Sequence, residues 1–288
     1  MLIDTHSHLN FNAYKDDADE VIRRSLSNNI WMINVGSQYK TSKRAVDIAE
    51  RYQEGVYASV GLHPIHLAEG IFKAKLDKEE ISFQTKNEDF GHDSYKNLAQ
   101  SKKVVAIGEI GLDYYYRPKT KIKLAEFKKR QREVFLAQFN LAKELNLPII
   151  FHCRMAHQEL IEILENNTGA KGVVHCFTGD WGQAQKYLDM GFYIGFNGII
   201  FKFSQSENSR GPAGRGIILD LDEVIKKVPL DKILIETDCP YLTPPPMEGR
   251  NEPAYVKYVV EKIAKIKGLD YEKLGEITSK NARELFRI

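Results

Sequence analysis

The 288-residue sequence predicts an α/β protein folded as a (β/α)₈ TIM-type barrel. Two observations carry that expectation. Eight short, mostly apolar runs recur along the chain with charged, helix-patterned stretches between them, as in parallel strands buried on both faces. Polar residues able to do chemistry also end the first run, the middle runs and the last run. An open doubly wound sheet would spread those ends apart, whereas barrel closure makes the first and last strands neighbours. The open sheet is the second choice.

The strands expected are 2–5, 31–36, 56–61, 104–109, 148–152, 172–176, 192–196 and 233–237. The first, in MLIDTHSHL, closes on His6 and His8. VVAIGE ends on Glu109, PIIFH on His152, GVVH on His175, and ILIETD on Asp238. Helical patterns are expected at 17–28, 42–52 and 124–145. In the longest, Phe127, Val134, Phe135, Gln138, Leu141, Ala142 and Leu145 share one face at three- and four-residue spacing. Lys128, Lys129, Arg130 and Arg132 on its other face read as a solvated surface rather than a nucleic-acid patch. Connections 65–103 and 199–222 are longer than a barrel needs. Both leave the carboxyl ends of strands, so either could reach over the mouth. Arg210 and Arg215 in the second could meet a phosphate or solvate the loop.

Nothing resembles a linker, so residues 1–288 are expected to form one domain. A net charge of +2 excludes strong capture of nucleic acid by bulk electrostatics, and any such partner must be held locally. No signal peptide or membrane span is visible. Three cysteines cannot make a disulfide framework, which fits a reducing cytoplasm. Cys153, Cys176 and Cys239 each follow a polar strand-end residue and read as small apolar fillers.

Taken singly the polar residues say little, since an HxH pair or an ETD triplet occurs by chance. Together they converge: His6, His8, His63, His152 and His175, five of eight histidines, end proposed strands. His6, His8, Glu109, His152, His175 and Asp238 therefore form an expected metal site at one rim. Neutral imidazoles with carboxylates suit Zn²⁺, Mn²⁺, Fe²⁺, Co²⁺ or Ni²⁺, and Mg²⁺ less well. Six ligands exceed the usual three for one catalytic zinc, so two divalent ions are expected if one carboxylate bridges them. Glu109, on the central fourth strand, is the better bridge. Asp238 would share an ion with His6 and His8, and His152 and His175 would hold the other. Two divalent ions less two carboxylates leave a positive site suited to a phosphodiester.

With their neighbours these residues resemble the TatD family of metal-dependent deoxyribonucleases, a branch of the amidohydrolase-like barrels. The matching stretches are DTHSHL (4–9), GLHP (61–64), GEIGLDYYY (108–116), HCRMA (152–156), HCFTG (175–179), ETDCPYLTP (236–244), GRNEP (249–253) and NARELF (281–286). The resemblance implies a dinuclear site and hydrolysis of DNA, often as a 3′→5′ exonuclease. Carried over by position, it implies that His6, His8, Glu109 and Asp238 bind one ion and Glu109, His152 and His175 the other. By the same resemblance His63, in the GLHP turn, is expected near the scissile phosphate. Cys239 stands where the family often has serine, and Met155 where an acid is common; neither removes a ligand.

The expected reaction is phosphodiester hydrolysis by a metal-activated hydroxide, with Glu109 and Asp238 catalytic and Asp238 handling the proton. His63 would contact phosphate; Arg154 would do the same or form a salt bridge within the barrel. Tyr114, Tyr115 and Tyr116 offer base-stacking surfaces, although three adjacent rings cannot all face one site. The expected partner is a DNA substrate, as a single strand or 3′ end, and the protein is expected to be a monomer with no membrane and no obligate protein partner. The alternative enzyme acts on a carbonyl centre: an amide, lactone or D-aminoacyl-tRNA ester. A non-catalytic metal or nucleic-acid binder fits poorly with an intact donor set.

Overall fold

In a computed structural model the residues described are 1–67, 88–115, 117–203 and 220–288. Tyr116, Arg210, Arg215 and most of the two long connections lie outside them. Eight strands alternate with helices: β1 Leu2–Ser7, α1 Ala18–Ser27, β2 Ile30–Val35, α2 Tyr39–Ala49, β3 Val56–Val60, α3 His92–Leu98, β4 Val104–Asp113 and α4 Lys121–Leu145. There follow β5 Ile149–Arg154, α5 His157–Glu165, β6 Gly172–Val174, α6 Trp181–Asp189, β7 Tyr193–Phe196, α7 Leu221–Lys227, β8 Ile233–Ile235, α8 Val256–Lys267 and α9 Tyr271–Phe286. All pairings are parallel and in chain order, β1 through β8, so the open doubly wound alternative is excluded.

The first and last strands meet at a seam. Ser7 bridges Cys239, the Asp238 N–H donates to the His6 carbonyl at 2.8 Å, and the His8 N–H donates to the Cys239 carbonyl at 2.9 Å. The Thr5 hydroxyl adds a bond to the Ile235 carbonyl at 3.1 Å. The barrel is thus nearly closed.

Period-two alternation divides the core into two layers. Ile3, Ile33, Val105, Ile150, Val173 and Leu234 pack together inside the barrel with Leu285 and Phe286 of α9. Their neighbours Leu2, Met32, Ile149, Val174, Ile233 and Ile235 point outward against the helices. On α4 the expected apolar face is seated through Phe135, Gln138, Leu141 and Ala142, with Phe127, Val134 and Leu145 partly buried at its margins. Among the described residues, no helix is long and apolar enough to cross a membrane.

Several boundaries differ from expectation: β1 runs on to Ser7, α2 spans Tyr39–Ala49 rather than 42–52, and β5 reaches Arg154. β4 continues four residues past Glu109 to Asp113, while β6 and β8 stop at Val174 and Ile235. His175 and Asp238 therefore leave the barrel on the first residues of loops. The 65–103 connection contains α3, whose single buried side chain, Tyr95, gives too little apolar periodicity to be read.

Candidate metal centre

Two irregularities in the sheet aim the central side chains. Gly108 faces Ile150 and Ile110 faces Phe151, so Glu109 is an extra residue on β4, a bulge that turns its side chain into the mouth. A second register shift, between Asp4 and Ser7, falls where His6 sits on β1. Beyond the first bulge β4 presses on β5 so closely that a Cβ on Gly111 would lie 1.9 Å from the His152 carbonyl oxygen. Gly111 also has φ +152°, and only glycine suits both demands. At the strand ends Met155, Cys176 and Asp238 have positive φ, so the backbone turns through the left-handed region at the donor Asp238, directly after His175 and just past the end of the strand that carries His152.

The structure brings together all six expected donors and His63. The Nε2 atoms of His6 and His8 lie 3.1 Å apart, and Asp238 Oδ1 is 3.8 Å from the first and 3.4 Å from the second. On the other side Glu109 Oε1 is 2.5 Å from His152 Nδ1, 2.6 Å from His175 Nε2 and 3.4 Å from His63 Nε2. The second oxygen of Glu109 reaches His6 Nε2 at 3.6 Å. One carboxylate therefore touches both groups of imidazoles, which is the geometry expected of a bridge. The His6 and His175 rings stack at 4.0 Å, joining strands β1 and β6 across the barrel.

Burial and charge act against each other here. Burial pushes the Glu109 carboxyl up, but His175, His63 and His152 outweigh it and hold the group well below the usual carboxylate range. Burial pushes Asp238 up as well, and the His8 contact with the charges of His6 and His175 brings it below its ordinary value. Burial lowers His63 to about 4, so it is neutral near pH 7. Its Nδ1 accepts the Ile65 N–H at 2.9 Å, which assigns the proton of the neutral ring to Nε2.

Several supporting residues were not singled out from the sequence. Asp113, at the end of β4, lies 3.3 Å from His152 Nε2 and accepts Arg154 through both Nε and a terminal nitrogen at 2.7–3.2 Å. Arg154 thus makes the within-barrel salt bridge, and its guanidinium also stacks over Tyr115 at 4.5 Å. Glu236 stands 3.5 Å from His175 Nδ1 and is held by the Cys176 N–H and the Asn197 amide. Carboxylates behind ligand histidines fix ring orientation and raise donor strength. Two buried glutamines of α4 clamp the backbone beside the site. Gln138 bonds both the N–H and the carbonyl of Leu62, next to His63, at 2.7 and 3.0 Å. Gln131 does the same for Asp113 at 2.9 and 3.0 Å. Asp113 and Glu236 do stand inside the GEIGLDYYY and ETD stretches, which was the available signal.

This donor set fits divalent cations. Three groups, His6/His8/Asp238, His6/Glu109/His175 and His63/Asp113/His152, each place donor atoms within 4.8 Å of one another. The donors are nitrogens and carboxylate oxygens, as borderline metals favour. The ring nitrogens of His6 and His8 lie 3.1 Å apart and those of His152 and His175 3.3 Å apart, the spacing of two nitrogen donors that share one cation.

Comparison with known proteins agrees with that geometry. The TatD related DNase family model matches residues 3–287. A metal-dependent hydrolase of Bacillus subtilis, YabD, is 40% identical, with all of both chains covered. The 3′-5′ ssDNA/RNA exonuclease TatD of Salmonella typhimurium is 32% identical over all of this chain and 99% of its own length. Among solved structures, the TatD homologue YJJV of Escherichia coli K12 superposes with TM-score 0.76 at 26% identity, covering 100% of this chain and 98% of that one. The chain therefore belongs to the TatD family and is a metal-dependent hydrolase.

Proposed function

We propose that this hydrolase cleaves phosphodiester bonds in DNA, removing nucleotides from the 3′ end of a single strand. The observation that carries the reading is the placement of Glu109, whose two oxygens reach donors from β1, β5 and the loop after β6 together. Its relative in Salmonella typhimurium, named a 3′-5′ ssDNA/RNA exonuclease, supports the substrate class.

His6, His8, Asp238 and Glu109 would hold one divalent cation, and Glu109, His152 and His175 a second. Zinc, manganese and magnesium are the ions to test. When bound, such ions polarise the P–O bond and lower the pKa of the attacking water. Asp238, ionised and the least buried of the central carboxylates with 15% of its side chain exposed, would take up a proton from an attacking water. His63 donates Nε2–H to a nonbridging phosphate oxygen. Arg154, fixed on Asp113, supplies positive charge to the same phosphate. Asp113 and Glu236 hold His152 and His175 in register. The site is built from one chain, consistent with a monomer, and three free thiols suit the reducing cytoplasm.

The test uses metal-stripped protein reconstituted separately with Mg²⁺, Mn²⁺ or Zn²⁺ and single-stranded DNA labelled so that 3′ shortening is seen. Stepwise loss from the 3′ end is expected, and Glu109→Ala should lose at least about 10³-fold in turnover while keeping its fold. Absence of cleavage with every metal would refute the nuclease reading and direct attention to carbonyl-centre substrates.

A further inference from the structure

Cations on α4 are not all alike. Lys128 pairs with Glu159 at 2.9 Å, Lys129 with Glu133 at 3.8 Å, and Arg130 with Asp89 at 2.8 Å. The charged face considered from the sequence is thus largely neutralised by local acids. One turn earlier the situation reverses. Arg117, Lys119, Lys121 and Lys123 are all exposed, and among the described residues none makes an ion pair or hydrogen bond. No acid occurs between Tyr114 and Ala125. The first turn of α4 contains no acidic residue either, so Lys121 and Lys123 sit at the end of a helix where cations are disfavoured. A local arrangement that is unfavourable in the free protein is accounted for by an anionic partner.

Aromatic and apolar exposure coincides with this charge. Of the four exposed large hydrophobic side chains among the described residues, Tyr115 and Ile122 lie here. Tyr115 is 41% exposed, and Arg154 stacks over its ring. Its N–H donates to Asp113 Oδ1 at 2.9 Å, and Asp113 in turn contacts His152. The ring is therefore fixed to the rim of the metal centre by the same carboxylate that supports a donor histidine.

We propose that Tyr115 with residues 117–123 forms the docking surface for a single-stranded polynucleotide. Tyr115 stacks a base, and Arg117, Lys119, Lys121 and Lys123 follow the phosphate backbone leading to the metal centre. An anchored aromatic beside unpaired cations matches a single strand, whose base faces are open, better than a duplex or a lipid surface. This rests on the phosphodiester reading and adds where the strand lies. It also supplies the local hold that a net charge of +2 requires.

The test is fluorescence anisotropy of the metal-loaded enzyme with phosphorothioate oligothymidylate and oligouridylate, over a salt series. Replacing Arg117, Lys119, Lys121 and Lys123 by glutamine should weaken binding about a hundredfold near 0.1 M salt and reduce the salt slope by about 3. Tyr115→Leu should weaken it about tenfold. The same charge change at four paired lysines, Lys43, Lys96, Lys186 and Lys227, should alter affinity about threefold or less. Circular dichroism and melting of each variant verify folding. Equal losses from the two quadruple variants would overturn the surface, as would loss of anionic-vesicle binding with oligonucleotide affinity intact. An unchanged Tyr115→Leu would overturn the stacking role. If the wild type cleaves DNA but these variants bind normally, this inference fails alone; if the wild type neither binds nor cleaves, the nuclease reading fails with it.

Discussion

Asp113 shows how one residue joins donor geometry to substrate geometry. Its carboxylate faces His152, receives Arg154 and accepts the Tyr115 N–H. Asp113→Asn keeps the size but removes the charge that orients His152. Metal affinity of stripped protein, measured by isothermal titration, should fall about 10- to 100-fold. His157 gives a residue-scale pH effect away from the donors. Its Nδ1 lies 3.2 Å from the Tyr187 hydroxyl and its ring packs against Phe177, with the charges of Asp180 and His152 acting on it from farther away. Burial lowers it to about 4 from an ordinary 6.5. The unfolded chain binds this proton first, so the contribution is complete above pH 6.5 and is lost as pH falls toward 4. Its upper size is about 3 kcal/mol. The stability difference between wild type and His157→Gln should therefore shift by up to that amount between pH 7 and pH 4, read by urea midpoints.

At the scale of elements, α4 is a scaffold as well as a cover for the sheet. Gln138 and Gln131 lie seven residues apart, two helical turns, and each satisfies both backbone groups of a residue at the barrel rim. Gln138→Leu would fill similar space but leave the Leu62 N–H and carbonyl unpaired. A loss of about 3 kcal/mol is expected in denaturant melts, with weaker substrate binding through the displaced His63. The sequence already placed Gln138 on the buried face of this helix. Its partner was illegible because Leu62 lies 76 residues away and contributes only backbone atoms. The donors were legible for the opposite reason: an ionisable side chain ending an apolar run stands out locally. Asp113 was hidden by the Glu109 bulge, which breaks the alternation just where β4 seemed complete. Glu236 was hidden by its neighbour Asp238, which took the more visible role. The strand ends at β6 and β8 were overestimated because apolar and donor residues continue into loops there.

For the whole molecule, the donors tie together β1, β4, β5 and the loops after β6 and β8. A ligand that engages all of them stabilises the folded barrel by mass action. At a metal concentration about 1,000-fold above Kd this amounts to about 4 kcal/mol. Chelation should then lower Tm by about 7 °C in scanning fluorimetry, and readdition of metal should restore it. The barrel seam adds a constraint in time. Thr5, His6 and His8 find their partners Ile235, Asp238 and Cys239 only across some 230 residues of chain. A nascent polypeptide that has exposed everything through His175, just past β6, already contains His6, His8, Glu109 and His152 as well, yet has neither Asp238 nor the strand that shuts the barrel. During synthesis the N-terminal strand must wait for the C-terminal quarter, and hydrolytic competence arrives with closure rather than with the first donors.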